Sequence, residues 1–390
     1  MKIDPYKHEE TYKKWRSEIG NVIPGLSIQN SNIILQFIDD MEHGLNVSST
    51  SVKGSRSYIR LNTLRSKMYF FGIKFKEKYD LEDITKVNEI QLHKLFSEMR
   101  KGVLKRIDGK TYQSVTDYTK AFKAFWHWYQ KTNRKKGIEI EDITVDLDTS
   151  KEKPKWVYLD EDQVKELCNK AKYEYRVLIM FLFDSGIRAP TELMNIKVSD
   201  LRDDCKELHI RDEVSKTFGR RIKLMICPPL LKEYLQIKKL KSDSYLFPIC
   251  PKVVNRYLKR LALNVFGDVE SQAGQKYSEL TMYDLRHISC CYWLPRYKSE
   301  SALKYRFGWK KSEKIHYYSE LLGMKDTISE DDMLMDVTKT EIERRLDKTE
   351  REKDILNEEV NDLRNQMKLI LSYVKRVNMN VEYIFDGKND

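Results

Sequence analysis

The chain has 390 residues, 34% of them charged, and 71 Lys+Arg stand against 60 Asp+Glu for a formal net charge of +11. That length predicts two domains and an appendage, and the charge favours a polyanionic partner. Several classes are excluded or disfavoured. No run approaches the ~18 apolar residues of a membrane helix, and MKIDPYKHEE lacks the apolar stretch of a secretory leader. The six cysteines (168, 205, 227, 250, 290 and 291) show no C-x-x-C spacing and read as buried thiols of a reducing cytoplasm. Seven scattered histidines make no structural zinc site.

Residues 1–20 are a polar lead-in. From about Ile28 to Gln130 the apolar positions recur at helical spacing: Ile33, Ile34, Phe37, Ile38 and Met41, then Tyr58, Leu61, Leu64, Met68 and Phe71, then Tyr118, Phe122, Phe125, Trp126 and Trp128. The aromatic residues read as a core rather than a base-stacking surface. Lys53, Arg56, Arg60, Arg65 and Lys67 interleave the second of these segments, and Lys120 and Lys123 the last. They form either a solvated face or a surface for phosphates. Residues 1–136 are therefore expected to be one helical domain, and residues 137–156, which lose the helical period and contain Pro154, a linker.

A second domain is expected over residues 157–330. Asp160 and Gln163 have capping-box spacing at the start of a helix, and the apolar run Leu178, Ile179, Phe181, Leu182 should end at Gly186. Glu207–Ile210 and Arg221–Met225 alternate like strands around a turn at residues 215–219. The fold class expected is mainly α with a small antiparallel sheet. Beyond it, alternating steps of four and three run from Ile342 to Ile384, with only Thr349 and Lys353 polar among the seam positions. This pattern predicts a coiled coil within residues 338–385, and thus self-association.

Four segments of the second domain stand out as a set. Leu182–Leu193 reads LFDSGIRAPTEL; Lys216 lies in the hairpin turn five residues before Arg221; residues 283–287 read YDLRH; and Phe307-Gly308-Trp309 precedes Tyr318 by nine residues from the tryptophan. Their order and spacing resemble the tyrosine recombinases of the phage integrase family, whose boxes are T-G-x-R-x-x-E-L, a turn lysine, H-x-L-R-H, and L-G-H/W followed by a tyrosine. Ser185 replaces the usual Thr, one extra residue separates Arg188 from Glu192, and Tyr283 stands where the family usually has His.

The resemblance implies a helical core-binding domain, a catalytic domain and a site-specific integrase that cuts and rejoins DNA through a 3′-phosphotyrosine. Arg188 and Arg286 would clamp the scissile phosphate with their planar donor forks. Lys216 would protonate the leaving oxygen, Trp309 would donate to a non-bridging oxygen, and Tyr318, rather than its neighbour Tyr317, would be the nucleophile. Tyr283 would orient phosphate or nucleophile, since a phenol with a pKa near 10 is a poor base at neutral pH. Tyrosine at that position points to archaeal virus or plasmid integrases, and His287 is expected to be structural.

The resemblance further implies double-stranded DNA and a Holliday junction as partners, contacts to DNA from Lys53, Arg56, Arg60, Arg65, Lys67, Lys120 and Lys123, and a homotetramer on DNA. It implies neither metal nor cofactor. A type IB topoisomerase-like enzyme and a non-catalytic DNA-binding protein of the same fold stay open as alternatives.

Overall fold

The computed structural model describes residues 2–47, 52–112, 114–150, 154–297 and 299–322, together with scattered positions between Lys353 and Met367. They fall into two compact units divided between Ser312 and Glu313. The predicted coiled coil lies outside the described residues, apart from those scattered positions.

The first unit begins with α1 (His8–Glu18), α2 (Ile28–His43), α3 (Tyr58–Tyr79), α4 (Glu89–Arg100) and α5 (Val115–Arg134). Ser27, Ser57 and Asn88 start α2, α3 and α4 by accepting from backbone N–H groups of the first turn. α3 is the centre of this bundle and packs against α1, α2 and α5. Its buried face, Leu61, Leu64, Met68, Phe71 and Phe75, meets Phe122 and Phe125 of α5. Phe71 and Phe122 sit edge to face with centroids 5.0 Å apart. The aromatic residues are thus core, as their spacing predicts.

Residues 137–147 have no regular secondary structure, yet they are docked rather than free. Trp126 donates from its indole to the Glu141 carbonyl, and Gln130 to that of Ile140. Leu147 is buried in the helical core, with Ile140 and Ile143 packed against it. Asp148 extends this docking through an ion pair with Arg100 at 2.8 Å, and Trp156, at the far end of the expected linker, is buried.

α6 (Glu161–Lys170) opens with the predicted capping box: Asp160 accepts from Gln163 N, and Asp160 N donates to the Gln163 side chain. α7 (Tyr173–Ser185) ends at Gly186, whose φ of 61° is left-handed. A Cβ there would lie 2.4 Å from Phe307 and 2.8 Å from the Ser289 hydroxyl, so both space and backbone demand glycine. A three-stranded antiparallel sheet follows: β1 (Leu201–Arg202), β2 (Glu207–Ile210) and β3 (Arg220–Lys223), in that order. The sequence reading misses β1, which is two residues long, and starts β3 one residue late.

α8 (Pro228–Lys238), α9 (Pro251–Phe266), α10 (Met282–Trp293) and α11 (Glu300–Phe307) complete the unit. α7 and α10 form its main helix–helix contact. Asp184, fully buried on α7, is the junction. One carboxylate oxygen accepts from the backbone N–H groups of Met225, Ile226 and Cys227 at the start of α8 (2.9, 2.6 and 2.9 Å), and the other pairs with Arg306 of α11. The Asp184 carbonyl accepts from the Trp293 indole of α10. A single carboxylate thereby joins α7, α8 and α11.

The second unit contributes α12 (Glu313–Leu321). No helix among the described residues is long and apolar enough to cross a membrane.

Candidate active site and basic cleft

The C-terminal end of α11 organises the site. A helix end exposes carbonyls without intrahelical donors, and they carry the negative end of its dipole. Here three successive carbonyls each hold an arginine from another segment. Arg220 Nε donates to Arg306 O at 2.8 Å, Arg286 Nη2 to Phe307 O at 2.5 Å, and Arg188 Nη2 to Gly308 O at 2.8 Å. Gly308 turns the chain at φ 60°, and a Cβ there would come within 3.0 Å of the Arg220 guanidinium. Its side-chain-free turn lets the Arg220 guanidinium and the Thr217 hydroxyl close in.

Glu192 is the counter-charge. Its carboxylate is fully buried and accepts from Arg188 Nη1 (2.7 Å), Arg188 N (2.9 Å) and both terminal nitrogens of Arg220 (3.2 and 2.8 Å). Burial alone would raise its pKa; the hydrogen bonds and charge of Arg220, then Arg188, instead hold it down to about 2. The extra residue between Arg188 and Glu192 does not part them. The loop, which contains a cis Ala189–Pro190 peptide, folds back so that Glu192 N donates to Arg188 O at 2.7 Å.

Arg286, on α10, donates from its other terminal nitrogen to Gly186 O at 2.5 Å, and its guanidinium lies 5.3 Å from the Phe307 ring centre. Burial first, and then the charge of Arg188, push its pKa down to about 10, with Glu192 opposing the shift. α10 is held in place by a capping box between Thr281 and Asp284. The Asp284 carboxylate also accepts from Val157 N at 3.2 Å, tying the start of this half of the unit to the helix.

Arg188 and Arg220 share the Glu192 carboxylate and Arg286 lies in the same cluster, so three guanidiniums stand against one carboxylate, two positive charges in excess among largely buried groups. Trp309 is buried and stacks on Phe307 (5.0 Å, 22°). Tyr283 is exposed at the start of α10 and meets the ring of His287 edge-on at 5.1 Å; His287 in turn stacks on Trp156 at 4.9 Å. Lys216 is exposed in the β2–β3 turn. In the second unit, Tyr318 and Tyr317 are adjacent on α12, with ring planes 70° apart. Tyr318 is buried, whereas Tyr317 is only partly so.

The sequence reading missed Arg220, because Arg221 has the expected distance from Lys216, although the alternation of Ile222 and Leu224 places residue 220 on the inward face. In the sheet Arg220 points inward, wholly buried, and Arg221 outward. It also missed Thr217, whose hydroxyl donates to Gly308 O at 2.9 Å, and Asp184, although a charge inside an apolar helix is a visible signal.

Of the seven basic residues expected to face DNA, Arg56, Arg60, Lys120 and Lys123 line one open cleft of about 580 Å³ between α3 and α5. Burial and then the charge of neighbouring Arg56 lower the pKa of Arg60. Arg65 and Lys67 are not in this cleft. Arg65 lies five residues beyond Arg60, about 140° around the helix, and stacks on Trp15 at 4.7 Å. Lys67 lies seven residues, about two turns, beyond Arg60, over the Tyr118 ring at 3.1 Å, where burial lowers its pKa to about 8. Lys53 is exposed and does not line the cleft.

Residues 157–323 match the model of the phage integrase family. None of the curated proteins matches the chain in sequence. Among solved structures, the chain resembles the XerH site-specific recombinase bound to palindromic difH substrate in a post-cleavage complex. That match has 14% identity, covers 79% of this chain and 96% of that one, and has a TM-score of 0.56. The Tn1549 transposon integrase in complex with transposon right end DNA is similar at 14% identity, covering 80% of this chain and 99% of that one with a TM-score of 0.54. At these identities the structural matches speak for the fold.

Proposed function

We propose that this chain, whose residues 157–323 are a phage integrase family domain, is a site-specific tyrosine recombinase that cuts and rejoins DNA. The observation that carries the reading is the surplus of two positive charges left by Arg188, Arg220 and Arg286 around Glu192. A phosphodiester brings one negative charge and its five-coordinate transition state two, so fixed guanidiniums favour the transition state over the ground state. Arg188 and Arg286 each use two of their five N–H donors on the protein's own acceptor groups through their terminal nitrogens, which leaves donors for non-bridging oxygens.

In this reading the Tyr318 hydroxyl attacks phosphorus. Its oxygen forms the new P–O bond, its proton passes to solvent, and the P–O5′ bond breaks as the departing oxygen takes a proton from Lys216. The phosphodiester count is unchanged, so the 5′ hydroxyl of another strand can reverse the step and join the ends. Tyr283 replaces the family's histidine as an orienting hydroxyl, and it is the residue that favours an archaeal virus or plasmid integrase. Trp309 donates from its indole N–H to a non-bridging oxygen of the phosphate.

Residues 1–136 form the core-binding domain in this proposal, with the cleft of Arg56, Arg60, Lys120 and Lys123 on DNA phosphates. Four copies act on two duplexes through a Holliday junction. The heptad seam within residues 338–385 tethers them, a role supported by the exposure of Leu356, Val360, Leu363 and Met367 in the single chain.

A nicked substrate, from which the cut fragment diffuses away, tests the activity. The wild-type protein should accumulate a covalent 3′ adduct, and Arg188→Ala should form it at least about a hundredfold more slowly. Absence of any adduct on the protein's own recombination site would refute the enzyme reading.

A further inference from the structure

The turn that carries Lys216 is fastened to the same carbonyl that holds Arg188. Thr217 Oγ donates to Gly308 O at 2.9 Å, and Arg188 Nη2 donates to that oxygen at 2.8 Å. Two further contacts tie the turn to α11: Phe218 stacks on Tyr305 at 6.0 Å, and Arg221 N donates to the Tyr305 hydroxyl at 3.2 Å. From the sheet side, the Asp212 carboxylate accepts from Gly219 N at 2.7 Å, and the Ser215 hydroxyl accepts from Thr217 N at 3.2 Å. Lys216 itself is exposed and its stem is long. Its reach toward a given phosphate is therefore set by where the turn's backbone is fixed. Thr217 is the adjacent residue, and its hydroxyl is the link among these that ends on the arginine cluster.

We infer that Thr217 is a positioning residue: by sharing the Gly308 carbonyl with Arg188, it sets the Lys216 ammonium at a fixed distance from the phosphate that the arginines hold. The inference rests on the reading of Lys216 as the acid that protonates the leaving 5′ oxygen. A general acid acts only within hydrogen-bond reach of the atom it protonates. Freeing the turn should therefore cost the proton transfer while leaving phosphate binding in place. Removing the hydroxyl leaves the methyl group and the shape of the side chain, so Thr217→Val isolates the hydrogen bond. Thr217→Ser keeps the hydroxyl.

The test compares two nicked substrates that differ in one atom. In one the leaving group is the ordinary 5′ oxygen; in the other it is a bridging 5′ sulfur, a thiolate that departs without a proton donor. Thr217→Val should form the covalent adduct about 10- to 100-fold more slowly than wild type with oxygen, and at near wild-type rate with sulfur. Thr217→Ser should restore most of the rate with oxygen, and DNA affinity should be unchanged in both variants. Equal slowing of Thr217→Val on both substrates, or no slowing on either, would overturn the positioning role. Lys216→Ala in the same assay separates the two claims. If sulfur rescues Lys216→Ala but not Thr217→Val, the lysine is the acid and Thr217 does not position it. If sulfur does not rescue Lys216→Ala, the reading of the lysine fails and the inference with it.

Discussion

Arg188 and Arg286 hang from adjacent carbonyls at the end of one short helix, Arg188 from Gly308 at 2.8 Å and Arg286 from Phe307 at 2.5 Å. They come from segments nearly a hundred residues apart. Their spacing is thus inherited from the peptide between residues 307 and 308, one of the least deformable distances in a protein. Arg220 extends the series to Arg306 O and joins Arg188 on Glu192. The helix end acts as a template for a dense cluster of positive charge that would otherwise repel itself.

The buried pair of Arg220 and Glu192 should be far more important to folding than the neighbouring Arg221. Removing one partner of a buried ion pair leaves an uncompensated charge, which costs about 3–5 kcal/mol. Arg220→Ala should lower the stability measured by urea unfolding by that amount. Arg221→Ala, on the exposed face of β3, should change it by no more than about 0.5 kcal/mol.

Glu192 should also shape acid stability. Its folded pKa of about 2 lies below its ordinary value of 4.5. Its contribution is therefore complete above the ordinary value and is lost as pH falls from there through about 2. The shift is worth about 3 kcal/mol. Unfolding free energies measured from pH 6 to pH 2.5 should fall less steeply for Glu192→Gln than for wild type.

How much of this was legible in the sequence depended on whether the signal was local. The Asp160–Gln163 capping box and the helix stop at Gly186 were readable because a cap is decided by residues three apart and a left-handed turn by one glycine. The predicted hairpin formed with Ile222 and Leu224 buried, as their alternation implies, but the spacing from Lys216 singled out Arg221, whereas Arg220, in phase with Ile222, is the buried arginine. The helix-end template was not readable. Its acceptors are main-chain carbonyls of residues 306–308, and a carbonyl has no letter in the sequence. The docking of residues 137–147 was hidden for the same reason, since Trp126 and Gln130 bind backbone oxygens there.

Arg286 has the opposite sign from Glu192. Its pKa is lowered to about 10, so the charged form is disfavoured by the fold at every pH below that, and the cost fades only as pH rises through 10. An oxyanion at the cluster should offset this cost. Sulfate in place of chloride at equal ionic strength should raise the melting temperature at pH 7.5, by about 2.7 kcal/mol of stability at a hundred times its dissociation constant. The increase should shrink in Arg286→Ala.

The basic cleft yields a salt-dependence prediction. Each DNA phosphate that the protein no longer neutralises should reduce the slope of log affinity against log salt by about 0.9. Replacing Arg56, Arg60, Lys120 and Lys123 together by Ala should lower the slope by about 3 to 4. Replacing Arg65 and Lys67, which lie outside the cleft, should lower it by less than 1. Fluorescence anisotropy with a duplex across 50–300 mM salt measures both.

The central claim is that this chain joins itself to DNA through Tyr318. The direct measurement is to trap the adduct on a nicked substrate, digest protein and DNA, and locate the nucleotide-bearing residue by fragment-ion mass spectrometry of the peptide containing both Tyr317 and Tyr318. The account predicts a 3′-nucleotide on Tyr318 and no adduct from Tyr318→Phe. A nucleotide on Tyr317, or an adduct that persists in Tyr318→Phe, would contradict it.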